Sequence, residues 1–113
     1  MKIDDLTVGE IKQIVAMFGN SPVAKTETAF EIGKIYCVRT VTMIDTGRLI
    51  AVTEQELVLE EAAWIADTGR FADAIAKAEF GEVEPFPGDR PLIIGRGSII
   101  DAITIEKAPR SQK

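Results

Sequence analysis

Histidine is absent from all 113 residues. With it go the usual general base, the Ser-His and Cys-His nucleophile pairs and nearly every zinc geometry. Cysteine occurs once, at Cys37, so no disulfide can form within the chain, and its place in an apolar stretch marks it for burial rather than reactivity. No apolar run reaches the roughly 18 residues that cross a bilayer. Met1-Lys2-Ile3-Asp4-Asp5 lacks a signal-peptide hydrophobic region, and the cytoplasm is the expected location. An excess of positive charge is also missing: 13 Lys and Arg against 18 Asp and Glu leave a formal charge of −5. That balance argues against an extended nucleic-acid groove, while a compact anionic ligand needs only a few arginines. Chemistry would have to run on carboxylates or on a magnesium-type ion held by them. The acidic group Glu54, Glu56, Glu60 and Glu61 has no cage-like spacing, so no metal and no cofactor is assigned.

What is present suits one domain over residues 1–113. Apolar residues make up 46% and charged residues 27%, an ordinary globular balance. Thr7-Val8-Gly9-Glu10 is a capping box, and Ile11, Ile14, Val15 and Phe18 follow at helical spacing, which predicts an N-terminal helix over about 8–18. Ile35 to Ile44 is β-branched and aromatic and reads as a strand. Asp45-Thr46-Gly47 then reads as a turn, Arg48 to Val52 as a second strand and Leu57 to Leu59 as a third. Thr53-Glu54-Gln55-Glu56 is also a capping box, so Glu54 to Ala66 has a rival reading as helix. A second helix is expected over Gly69 to Ala78, an irregular loop over Phe80 to Pro91, and strands at Leu92 to Ile94 and Ser98 to Ile105. Glu106 to Lys113 reads as a frayed tail.

On the expected first strand, Arg39 shares a face with Ile35, Cys37, Val41 and Met43. An unpaired guanidinium there would be costly, so Arg39 requires an acidic partner, a ligand or a neighbouring subunit. Three glycine-arginine pairs, Gly47-Arg48, Gly69-Arg70 and Gly95-Arg96, join exposed amides to a planar fork of donors, which suits phosphate or carboxylate. Gly97 and Ser98 extend the last pair. Trp64, the only tryptophan, and Tyr36 supply faces for stacking, and Thr40 adds a hydroxyl. The expected ligand-binding set is therefore Arg39, Arg48, Arg70, Arg96, Gly95, Gly97, Ser98, Thr40, Trp64 and Tyr36. Ordinary turn glycines and surface arginines account for the same pattern without a ligand.

Met43-Ile44-Asp45-Thr46-Gly47 with Leu92-Ile93-Ile94-Gly95-Arg96 resembles the retroviral-type aspartic proteases. By that resemblance Asp45 from two subunits would share a proton and activate water. Arg48 stands where that family has a small residue. Residues 30–103 look like a family of short bacteriophage and prophage proteins, on the strength of Val38-Arg39-Thr40-Val41-Thr42, Thr46-Gly47-Arg48-Leu49, Leu57 through Phe71 and Ile94-Gly95-Arg96-Gly97. The meander of Val38 to Leu59 followed by Ile94 to Ile99 looks more loosely like an Sm-like small barrel, without that family's RNA-binding signature.

These patterns together predict an α+β fold: a bent antiparallel sheet or small β-barrel of about five strands, carrying the N-terminal helix and a second short one. The expected function is a non-enzymatic, homo-oligomeric phage protein of the host bacterial cytoplasm, an anti-defence protein that sequesters a small nucleotide-like signal. The alternative is a protein-interaction, inhibitory or structural phage protein acting on a host protein. A carboxylate-based, protease-like hydrolase is the third reading.

Overall fold

From Ile35 onward β-branched and apolar residues recur at short spacing. The computed structural model describes residues 28–113 and arranges that stretch as one six-stranded antiparallel sheet. The strands are β1 (Ile35–Thr40), β2 (Ile44–Val52), β3 (Glu56–Asp67), β4 (Glu82–Pro85), β5 (Leu92–Gly95) and β6 (Ile99–Thr104). One helix, α1 (Phe71–Lys77), lies between β3 and β4. The order is β4-β3-β2-β1-β6 with β5 also on β3. β5 pairs with Glu56 to Leu59 of β3 and β4 with Ala63 to Asp67, so two short strands share one edge of a long one.

A three-residue 3-10 turn, Arg96–Ser98, carries the chain from β5 on that edge to β6 beside β1. So short a bridge requires a strongly curled sheet. The ladder nevertheless stays open, because β5 and β6 do not pair with each other. Of the two expected forms the antiparallel sheet holds, with six strands rather than about five, and the barrel is corrected to an open sheet; the α+β class becomes a mostly β one with one α-helix among the described residues. The helix expected over 8–18 lies outside them.

The first hairpin turns earlier than its composition suggests. β1 ends at Thr40, and the Thr40 hydroxyl accepts from the Met43 N–H (2.9 Å) while the Thr40 N–H donates to the Met43 carbonyl (2.8 Å). A threonine side chain thus closes the turn across Val41 and Thr42, whose β-branching disguises it. Asp45-Thr46-Gly47, expected as the turn, runs inside β2 instead. Thr53 repeats the device, accepting from the Gln55 and Glu56 N–H groups.

The helical alternative for Glu54 to Ala66 is overturned, since that stretch becomes the 12-residue β3. Pairing on both edges, with β2 on one side and β4 and β5 on the other, outweighs a modest helix propensity. The expected irregular loop contains β4. The tail has no regular secondary structure, yet Lys113 and Val83 exchange two backbone hydrogen bonds of 3.0 Å, and the Arg110 guanidinium donates to the Ala62 and Phe86 carbonyls.

Each face of the sheet has its own core. The concave side gathers Tyr36, Val38, Leu49, Leu57, Leu59, Ala62 and Ile94. The other side packs Cys37, Ala63, Ile65 and Val83 under Ala74 and Ala78 from α1 and its end, with Phe80 and Ile105. Each fully buried Leu of the first cluster contributes roughly 1.5–3 kcal/mol over exposure.

Candidate interaction cleft

The arginines singled out from sequence have separate positions, and three of them have separate partners. Arg39 makes a two-pronged ion pair with Asp101, Nε to Oδ1 at 2.8 Å and Nη2 to Oδ2, and lies 4.4 Å from the Phe71 ring centroid. The acidic partner demanded by its place on an apolar face is thus a cross-strand neighbour on β6. That hydrogen bond raises the Arg39 pKa and holds the Asp101 carboxyl below the usual carboxylate range.

Arg48 pairs with Glu61 and, at 3.8 Å, Glu60. The Arg96 guanidinium donates to the Thr53 carbonyl and lies 5.7 Å from the Phe30 ring centroid. Arg70 precedes α1, beside Gly69, and lines a shallow surface hollow with Asp73 and Lys77. Tyr36 is buried, its hydroxyl accepting from the Glu31 N–H. Ser98 donates to the Gly95 carbonyl, and Cβ atoms added at Gly95 or Gly97 would meet no other part of the chain.

Three expected residues do meet. Arg39, Thr40 and Trp64 line one open cleft of about 470 Å³ at the tip of the β1–β2 hairpin, together with Val41, Met43 and Ile100. The long β3 creates it: Trp64 pairs with Asp45, and the strand runs on past the tip to Asp67. Val41 is 70% exposed, Ile100 65%, Met43 48% and Trp64 39%. Sequence reasoning placed Val41 and Met43 on an apolar strand face beside Arg39, as surface for self-association, and did not single out Ile100. The available signal was Thr40, which ends β1 and turns its successors outward.

Asp45 pairs with Val38 on one side and Trp64 on the other. Desolvation pushes its carboxyl up to about 6. A protease-type aspartate would instead sit in an exposed loop, whereas Asp45 lies within β2 and is buried. Among the described residues no three acidic or cysteine side chains gather into a metal cage. Cys37 is buried in β1, and desolvation pushes its thiol up to about 12.

No family model matches the chain, and a search of curated proteins returns no match. What the geometry defines is an open, curled antiparallel sheet with an apolar cleft at one hairpin tip.

Proposed function

We propose that this protein is a non-enzymatic, phage-type protein that works by binding another protein through the hairpin-tip cleft. The observation that carries this reading is the ring of exposed Val41, Met43, Trp64 and Ile100 around one open cleft. Apolar residues gathered at a surface in this way mark interaction sites, and a tryptophan flanked by aliphatics suits an anchor pocket. Glu84 lies beside the cleft, exposed, across from Trp64, on a chain of net charge −5. The partner that fits is a basic protein surface presenting an apolar or aromatic side chain. The likeness of residues 30–103 to phage proteins supports a host protein as that partner.

Immobilised wild-type protein is expected to retain one basic host protein in stoichiometric amount. Met43→Glu, which changes an exposed side chain, is expected to lose that protein by about tenfold or more in affinity with its circular dichroism unchanged. Retention by the variant overturns the reading, as does a wild-type protein that captures nothing.

A second reading rests on Arg39, Thr40 and Trp64 meeting in the same cleft: a nucleotide-like anion stacked on Trp64 and gripped by Arg39. It is the weaker one because the Arg39 guanidinium already holds Asp101. Calorimetry against cyclic nucleotides separates the two. Heat that disappears in Arg39→Ala and grows in Asp101→Asn favours the anion.

A further inference from the structure

The two outer edges of the sheet are finished differently, and from that difference we infer that β6 pairs antiparallel with β6 of a second copy, making a weak two-fold dimer. On the β4 edge, Val83 exchanges two hydrogen bonds with Lys113, and Pro85 offers no donor. No strand or tail among the described residues covers the outer edge of β6. β6 also lacks the usual protections of an open edge. It has no lysine and no proline. Its one charge, Asp101, is neutralised by Arg39, and its irregularity lies at the Arg39/Thr40 end.

The pattern of hydrogen bonds says which groups are free. The Ile105 N–H donates to the Ile35 carbonyl at 2.9 Å. Antiparallel alternation then turns the backbone groups of Ile103 and Asp101 toward β1, and those of Ala102 and Thr104 outward. A two-fold axis can place Asp101, Ala102 or Ile103 opposite its own copy. The first sets two carboxylates face to face, and the second sets Ile103 beside an aspartate. The third is self-complementary. The Ala102 N–H donates to the carbonyl of Thr104 of the partner subunit, the Thr104 N–H to that of the partner subunit's Ala102, and the axis doubles both.

In this register the two Ile103 side chains, 45% exposed in the single chain, meet at a close non-hydrogen-bonded position, with Cα atoms about 4.5 Å apart. Because the only charge on the edge is already paired, two copies of net charge −5 approach without a like-charge contact along it. In this register only Ala102 to Thr104 of each β6 face one another, a contact below the usual size of a stable interface, so the dimer is weak and reversible. Met43 and Trp64, on the hairpin tip and β3, lie off the paired strand. Ile100 of the cleft does lie on β6, so Met43→Glu and Ile103→Lys are the variants that separate a lost cleft partner from a lost dimer.

The test is a cysteine placed on the axis. Under a mild oxidant Ile103→Cys is expected to form a covalent dimer in high yield, while Ile100→Cys and the wild type, whose Cys37 is buried, do not. Ile103→Lys is expected to sediment as a monomer at concentrations where the wild type dimerises, with unchanged circular dichroism and thermal midpoint. The inference is overturned by a wild type that is monomeric at its highest soluble concentration, by Ile103→Lys that still dimerises, or by a larger ring in which Ile103→Cys does not crosslink. It is equally overturned if Ile103→Cys in the monomer resists maleimide, because the edge would then be covered within a single chain.

Discussion

Asp45 and Arg39 stand on opposite faces of one hairpin and show two outcomes for a charge near an apolar core. Arg39 keeps its charge by finding Asp101 and resting on Phe71. Asp45 has no such partner among the described residues, and burial raises its pKa from 3.8 to about 6. Because the folded value is the higher one, the contribution of Asp45 to stability is fully present below the unfolded pKa. It is lost as pH rises through about 6. Discounted for residual solvent screening, the difference is on the order of 2 kcal/mol between pH 4 and pH 7. Asp45→Asn is therefore expected to raise the thermal midpoint at pH 7 and to flatten its dependence on pH across that window, as followed by calorimetry. Asp101 acts with the opposite sign: its depressed pKa gives stability that is lost only as pH falls below the ordinary carboxylate range.

At the scale of the strand, Asp-Thr-Gly-Arg occurs twice, at 45–48 and 67–70, and the first copy is a place where two backbones come close. Thr46 pairs with Ala63 and Arg48 with Glu60, so Gly47 alone faces Glu61 and Ala62 in a bulge. Glu61 adopts a left-handed φ of 50° there, and Arg48 holds its carboxylate. A Cβ at Gly47 would lie 2.8 Å from the Leu59 Cβ and 3.0 Å from the Glu60 carbonyl oxygen. Gly47→Ala is expected to destabilise the protein by about 1–3 kcal/mol through overpacking, seen as a lower urea midpoint with unchanged m. The second copy does otherwise. Asp67 ends β3 and accepts from the Gly69 N–H (2.9 Å), Gly69 takes a φ of 68°, and the helix starts at Phe71. Identical tetrapeptides therefore serve a bulge in one place and a helix entry in the other, because only the first has a partner strand lying across its glycine.

For the molecule as a whole, β1 is the strand on which both cores converge. Cys37 faces the α1 side while Tyr36 and Val38 face the concave side, and β1 is paired along both edges. Exposing Cys37 therefore requires opening the whole sheet. In native buffer the thiol, buried and pushed up to about 12, is expected to resist maleimide and Ellman's reagent. Its labelling rate is expected to rise with urea in step with the loss of circular dichroism. Labelling well before the unfolding transition would mean that β6 or α1 detaches on its own.

The sequence by itself determined the β-rich character from Ile35 onward, the helix after Gly69, the lack of histidine chemistry and the need of Arg39 for a counter-charge. All of these follow from local pattern or from which residue types exist. Tertiary structure decided the rest. Asp101 stands 62 positions from Arg39, and only the β1–β6 register brings them together. The turn at Thr40 depends on a side-chain hydrogen bond that β-branched neighbours conceal, and β3 is a strand because it has partners on both edges. Whether four arginines share one ligand or take separate partners depends on how the sheet curls. The curl separates them, and at the hairpin tip it leaves an apolar cleft that no run of residues spells out.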